Sequence, residues 1–432
     1  MESPVLGRAF LVGVQIGGET DAISLEDSLD ELASLVDTAG AEVVGQVTQR
    51  IPKARPDTLV GSGKLEEIKY WVDEVGADLI VFDDELSPRH QRELEKIFGL
   101  DIRVIDRTAL ILDIFAQHAR SKEGALQVSL AQYEYRLPRL TRMWTHLARQ
   151  AGRGATGTGV GGLGLRGPGE TQLETDRREI RRHISRLKRQ LVHVRAQRAE
   201  QRRRRSRNGI PQIALVGYTN AGKSTLLNAL SGSDVLAADR LFATLDPTTR
   251  RVMLPNGRAA LISDTVGFIQ KLPHQLIAAF RATLEEVVYA DVLVHVADVS
   301  HPQVVEQIQV VEAFLRTLRK YEAPVVLVLN KTDLLDDDVA GSAVAGQLGS
   351  EAVLVSAASG KGLENLAAKL AEMCNQNVER VVIRVPYDHY NFVARFYEVA
   401  GQITQSTYDD GIELCGNIRT DELGRFDSFL VR

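Results

Sequence analysis

Apolar and polar positions in the first part of the chain switch repeatedly between two periods, and each switch marks an element. Ala9–Ile16 reads as a strand, and Leu25, Leu29, Leu32 and Val36 form one stripe of an amphipathic helix. Val43–Val47 alternates as a strand does, Leu65–Val75 is helical, and Leu79–Phe82 is a short buried strand. Ser87-Pro88 supplies a cap and first-turn pair for the next helix. Ile102–Ile105 and Leu110–Ala119 add a further strand and helix. This alternation predicts a small parallel α/β domain over residues 1–120. Gly61-Ser62-Gly63-Lys64 has the composition of a phosphate loop without its spacing. A helix-opening turn is its expected role, with a second nucleotide site as the alternative.

The pattern then changes. Leu126, Leu130, Tyr133, Leu137, Leu140, Trp144 and Leu147 are spaced alternately four and three apart, which is a heptad seam. A second seam runs through Leu173, Ile180, Ile184, Leu187, Leu191 and Val194, with Arg177 at a vacant position. Between them, residues 151–169 hold nine glycines in 19 positions. Two seams joined by one loop predict an antiparallel helical hairpin over residues 121–207 with a glycine-rich tip. Core-facing helices and a flexible linker are the plainer alternatives. Pro138 should bend the first helix. From 208 to 374 strands and helices alternate again, with apolar strands at Ile213–Val216, Ala260–Ser263, Val292–Ala297, Val325–Leu329 and Val353–Val355. Residues 375–432, with a strand, an aromatic-rich helix (Tyr390, Phe392, Phe396, Tyr397) and more strand patterns, predict a small α+β domain.

Charge alters this picture at one place. The chain carries a net −5, yet Arg177–Arg207 contains 14 Arg or Lys against two Glu, a local +12, which leaves −17 for the remainder. A polyanion-binding segment is thus set into an acidic protein. Few aromatic side chains are interleaved, which favours contact with a phosphate backbone over reading of bases. Arg153 and Arg166 within the glycine-rich tip, and Arg177, Arg178, Arg181 and Arg182 on the second helix, are the candidate RNA contacts. An acidic membrane surface is the other polyanion such a helix would fit. No apolar run reaches the ~18 residues of a membrane span. Two cysteines without metal spacing, Cys374 and Cys415, suggest a reducing compartment, taken to be the cytoplasm.

The chemistry lies at the carboxyl ends of the strands in 208–374. Ile213–Val216 runs into Gly217-Tyr218-Thr219-Asn220-Ala221-Gly222-Lys223-Ser224-Thr225, and a helical pattern follows. That order of strand, glycine loop and helix is the context a P-loop requires. The glycines let several N–H groups point at one phosphate chain, Lys223 adds a charge near the β- and γ-phosphates, and the Ser224 hydroxyl can join a Mg²⁺ shell. Asp264-Thr-Val-Gly267 follows the next strand; Asp264 can hold Mg²⁺ through water, and the Gly267 amide can sense the γ-phosphate. Asn330-Lys331-Thr332-Asp333 selects the base, since the Asp333 carboxylate can accept both N–H groups of the guanine edge and adenine offers no such pair. Ser356-Ala357-Ala358 would close over the guanine carbonyl through backbone N–H. Four motifs in this order specify a GTP site in an α/β fold. The fold class is a P-loop GTPase domain preceded by a parallel α/β domain and hairpin, and followed by an α+β domain.

Residues 166–176, Arg-Gly-Pro-Gly-Glu-Thr-Gln-Leu-Glu-Thr-Asp, together with Gly217–Ser224, resemble the HflX family of the translation-factor-like GTPases. The resemblance spans the N-terminal domain through the GTPase domain and is loose over the last ~60 residues. It implies a ribosome-associated GTPase; an ATP-dependent RNA-remodelling enzyme using the N-terminal domain is the alternative reading. Such a factor binds the large subunit and its rRNA, reaches toward the peptidyl-transferase centre with its glycine loop and splits stalled ribosomes. It further implies Thr244 as the Mg²⁺-binding threonine of switch I, with Thr248 and Thr249 as alternatives. In similar GTPases an asparagine at the position of Asn220 coordinates K⁺; a loop-closing role is the alternative. Lys223, Asn220, Gly267 and Thr244 are the expected catalytic set. Phe268 stands where many small GTPases carry a water-orienting glutamine, which predicts slow hydrolysis until a partner acts. A monomer is expected.

Overall fold

The computed structural model describes residues 7–17, 24–99, 101–140, 168–207, 210–232, 241–242, 245–271, 281–318, 323–335, 344, 346, 351–376 and 378–431. Contacts divide the chain into two units. The first holds residues 1–192 with 240–242 and 270–280, and the second holds the remainder.

In the first unit, strands β1 (Arg8–Ile16), β2 (Glu42–Ile51), β3 (Leu79–Phe82) and β4 (Arg103–Asp106) form a parallel sheet of order β2-β1-β3-β4. Helices α1 (Leu25–Ala39), α2 (Ser62–Val75), α3 (Pro88–Phe98) and α4 (Arg107–His118) alternate with them. Local chemistry sets the helix starts. The Ser87 hydroxyl accepts from the His90 N–H at 3.1 Å, and Asp106 accepts from the Ala109 N–H at 2.8 Å. Phe10, Val12, Ile68, Val72, Ile80 and Phe82 fill one core.

Charge is buried beside that core. Arg107, 1% exposed, donates to Asp83 (3.0 Å), to the Ser28 carbonyl (2.7 Å) and to Glu31 (3.2 Å). Lys271 donates to Asp83 and Asp84, each at 2.6 Å. Burial alone would raise the Asp83 carboxyl, but Arg107 and Lys271 hold it below the usual carboxylate range.

Helix α5 (Lys122–Arg136) gives way to a 3₁₀ turn, Leu137–Arg139. Pro138 therefore ends the α-helix where a bend was expected, because it lacks an N–H and crowds the preceding turn. Arg139 takes over there, donating to the carbonyls of Tyr135 (3.0 Å) and Leu86 (2.6 Å). The expected seam residues Leu126, Leu130, Tyr133 and Leu137 are half-buried, whereas Val128, Ala131 and Tyr135 are buried. Trp144, Leu147 and the glycine-rich stretch 151–167 lie outside the described residues. Helix α6 (Pro168–Arg207) is one continuous helix that already includes Pro168 and Gly169, two residues placed in the loop by sequence. Tyr133 stacks on His183 at 5.5 Å, and Lys188 pairs with Glu134 at 2.8 Å, so α5 and α6 meet side by side.

The second unit holds two sheets. The larger contains β5 (Gln212–Gly217), β6 (Thr248–Met253), β7 (Ala259–Asp264), β8 (Val292–Asp298), β9 (Val325–Asn330) and β10 (Val353–Leu354) in the order β10-β9-β8-β5-β7-β6. All its pairs are parallel except β6 with β7. The antiparallel edge β6 is not among the strands expected from sequence, because Thr-Thr-Arg-Arg-Val-Met carries no apolar alternation. Helices α7 (Lys223–Ser231), α8 (Arg281–Val288), α9 (Val304–Leu318) and α10 (Leu363–Gln376) accompany the sheet. The smaller sheet is antiparallel, β11 (Val378–Pro386), β13 (Gly411–Arg419) and β12 (Gly401–Tyr408), in that order. Helix α11 (Tyr390–Val399) lays Phe396 on it, with Gly416 leaving room for the ring. Both cysteines are free thiols.

Candidate functional site

The sequence motifs meet at the carboxyl ends of β5, β7, β9 and β10, as expected for an open α/β sheet. The loop after β5 turns tightly because two positions admit no side chain. A Cβ at Gly217 would collide with the Val296 carbonyl, and one at Gly222 (φ +89°) with the Asn330 amide. Asn220 stands exposed at the tip with φ +60°, a left-handed conformation that asparagine tolerates better than most residues. Lys223 is 6% exposed and donates to the carbonyls of Gly217 (3.2 Å) and Tyr218 (2.7 Å), folding its ammonium back over the loop. Burial pushes its pKa down to about 8, with Asp264 pulling the other way.

Two hard oxygen donors sit together beside that lysine. The Ser224 hydroxyl donates to Asp264 at 2.6 Å, and Asp264 is 1% exposed. A hydroxyl and a carboxylate so close match what Mg²⁺ takes from a protein, one or two ligands with the rest from water and phosphate. Thr244 lies outside the described residues. The hydroxyl of its alternative Thr249 is already joined to Ser263 at 2.8 Å within the sheet, and Thr248 is exposed at the start of β6.

The residues expected from sequence to recognise the base are tied to one another. Asn330, 2% exposed, donates to the Ala221 carbonyl at 2.9 Å and accepts from the Ala357 N–H at 2.9 Å, linking the phosphate loop to the turn after β10. Ser356, fully buried, donates to Asp333 at 2.6 Å and so orients a carboxylate that is otherwise exposed. Lys331 has φ +65° and pairs with Asp298 at 2.7 Å. Asp298 was missed in the sequence; its signal was its place at the end of the apolar run of β8, level with Asn330. His295, 2% exposed on the same strand, was also missed. Burial pushes its pKa down to about 4, and Lys223 adds to the shift.

Switch II, the segment that starts at Asp264-Thr-Val-Gly267, lies against the phosphate loop. The Phe268 N–H donates to the Gly217 carbonyl (3.0 Å), and the Thr219 N–H donates to the Phe268 carbonyl (2.8 Å). The Phe268 ring, 6% exposed, packs on Phe314 of α9 at 4.8 Å. An apolar cavity of about 310 Å³ also exists in this unit, lined by Val287, Leu293, Leu315 and Val325, away from the motif residues. A GTP site needs converging N–H groups, an ammonium and oxygen donors, so the motif loops carry the chemistry and the cavity does not.

Family models match three consecutive segments: GTP-binding GTPase N-terminal over 26–116, GTP-binding GTPase Middle Region over 118–205, and 50S ribosome-binding GTPase over 212–331. A GTPase HflX of Caldanaerobacter subterraneus subsp. tengcongensis is 43% identical over 428 residues, covering 98% of this chain and 94% of the relative. The chain belongs to the HflX family of GTPases. A second HflX, from Escherichia coli K12, is 42% identical over 404 residues and covers 94% and 91% of the two chains. A GTP-binding protein of Sulfolobus solfataricus, solved with GDP, is 25% identical at a TM-score of 0.43, covering 85% of this chain and 99% of that one. HflX membership makes the protein a GTP-hydrolysing enzyme on a P-loop fold, with Mg²⁺ accompanying the nucleotide. Nothing supports the ATP-driven alternative. Gly61–Lys64 opens α2, with the Gly61 N–H on Gln49 and Lys64 paired with Glu67 at 2.7 Å.

The proposed RNA contacts divide by position. Arg178, Arg181 and Arg182 are exposed on α6, Arg177 is half-buried in the seam, and Arg153 and Arg166 fall outside the described residues. No described helix is long and apolar enough to cross a membrane.

Proposed function

We propose that this HflX GTPase binds the large ribosomal subunit and splits or rescues stalled ribosomes, and that the ribosome stimulates its hydrolysis. The observation that carries the reading is the one-sided charge of α6. Arg178, Arg181 and Arg182 face solvent while Ile180, Ile184, Leu187 and Leu191 are turned inward along the seam. Exposed guanidinium groups along one helix suit a phosphate backbone. The description of the matching model, 50S ribosome-binding GTPase, supports the choice of subunit. Arg153 and Arg166 would extend the contact into the tip. The working division is 1–120, 121–207, 208–374 and 375–432, in a cytoplasmic monomer.

In this reading Lys223 and the amides of residues 217–225 hold the phosphates. Ser224, Asp264 and Thr244 serve Mg²⁺, Asn220 serves K⁺, and Gly267 reports the γ-phosphate. Asp333, held by Ser356, reads guanine with Asn330, Lys331, Ala357 and Ala358. Phe268 has no group to orient water, so turnover is slow until the ribosome acts.

Co-sedimentation with purified large subunits tests the scheme. Binding should be strong with a non-hydrolysable GTP analogue and weak with GDP, and the triple variant R178E/R181E/R182E should lose it while keeping its GTP affinity. Each lost phosphate contact should lower the salt slope of binding by about 0.7–0.9. Equal pelleting in every nucleotide state would refute the scheme. Preferential capture by anionic vesicles would shift the basic helix to a membrane role.

A further inference from the structure

A GTPase without a glutamine after the glycine of switch II needs another group at the attacking water. The phosphate loop holds one. Thr219 is 7% exposed, and its hydroxyl oxygen is buried without a hydrogen-bond partner. A lone buried hydroxyl is unfavourable, and valine would fill the same volume without that cost. The residue itself lies against Gly267, the glycine whose amide is expected to meet the terminal phosphate. A Cβ built on Gly267 would lie 2.8 Å from the Thr219 Cγ2 methyl and 3.0 Å from the Lys223 ammonium, so Thr219, Gly267 and Lys223 crowd one point of the phosphate loop. The Phe268 ring is turned away onto Phe314, and its carbonyl is taken by the Thr219 N–H. Thr219 is thus the described side chain that combines burial, an unused oxygen and contact with the switch II glycine.

We propose that Thr219 is a catalytic residue of this GTPase: its hydroxyl oxygen accepts a hydrogen bond from the attacking water and its hydroxyl proton is donated to a γ-phosphate oxygen. The water oxygen then forms a bond to the γ-phosphorus, and the bond from that phosphorus to the β–γ bridging oxygen breaks. The bond's electron pair leaves with GDP. The water proton passes to a γ-phosphate oxygen, and the products are GDP and dihydrogen phosphate. Thr219 orients and is unchanged at the end. A hydroxyl suits this double role because it accepts and donates at once, as a carboxamide does.

The test compares Thr219→Val, which keeps the shape and removes the hydroxyl, with Thr219→Ser, which restores it. Single-turnover hydrolysis is measured on the full chain, alone and with large subunits, alongside GDP and GTP affinities and thermal unfolding. The inference rests on GTP hydrolysis and not on the ribosome reading, so the arm without subunits tests it even if those particles have no effect. The valine variant should hydrolyse on the order of 10²-fold more slowly. Its nucleotide affinities should stay within about twofold, it should fail to form a GDP–aluminium fluoride complex, and the serine variant should recover all three readouts. A decrease in hydrolysis of less than about tenfold overturns the proposal. So does an equal loss of GDP and GTP affinity, which would make Thr219 a binding residue only. If the valine variant is unfolded, the serine variant decides alone, because it carries the hydroxyl and must turn over near the parent rate.

Discussion

The sheet β2-β1-β3-β4 and the sheet β10-β9-β8-β5-β7-β6 both collect buried polar groups at the carboxyl ends of their strands, and they use them in opposite ways. In the first, Asp83 is closed by Arg107 and Ser28, and Asp106 accepts from Leu86, Ala109 and Tyr135. Both oxygens of each of these two carboxylates meet donors of the same chain. In the second, Lys223 folds back onto carbonyls, Thr219 keeps an unused hydroxyl, and Asp333 presents an exposed carboxylate. Closed networks hold a fold together; polar groups left available wait for a ligand that completes them.

The largest effect should come from the closed network. Replacing Arg107 with methionine strips Asp83 of its main partner and should cost about 3–5 kcal/mol in thermal or urea unfolding. Hydrolysis per folded molecule should be unchanged. The opposite pattern, lost hydrolysis with intact stability, would break the comparison. Lys223→Met tests the other sheet. GTP turnover should fall roughly 10²–10³-fold, while unfolding without nucleotide shows little loss, since the buried ammonium has no carboxylate closing on it.

His295 gives a pH-dependent effect between these extremes. Its pKa is about 4 in the folded chain, against an ordinary 6.5, because the neutral ring is buried. The unfolded chain binds the proton first, so the stability is fully present above pH 6.5 and is lost as pH falls toward 4. The loss should approach ~3 kcal/mol. His295→Gln should flatten the melting temperature over that window. The smallest effect concerns binding. Nucleotide phosphates should raise the Lys223 pKa above its ligand-free value of about 8, so that binding takes up a proton above that pH. GTP affinity should then weaken by up to about tenfold per pH unit beyond 8 in calorimetric titrations. A flat affinity from pH 8 to 9.5 would mean that the lysine stays charged in the empty site.

Much of this was legible in the residue order. Ser87-Pro88 marks a helix start because a hydroxyl cap and a proline at the first turn are local effects, and the helix begins there. Runs such as Val292–Ala297 announce strands buried on both faces. Thr248–Met253 escaped notice because an antiparallel edge strand is decided by its neighbour β7, not by its own pattern. Pro138 was read as a bend and is a terminus, since Arg139 is available to close the last carbonyls.

What the sequence determined by itself was every feature set by near neighbours along the chain: the glycine loop, the carboxylate of Asp333 after β9, the capped helices and the basic stripe of α6. Spacing suffices for these because one loop or one helix turn contains all the groups involved. Tertiary structure alone decided which polar groups were spent and which were spare. Arg107 and Asp83, or Ser356 and Asp333, are separated by 24 and 23 residues, and only the fold brings them together. The idle hydroxyl of Thr219 is of the same kind, because a hydrogen bond that is missing can be seen only when everything around it is in place.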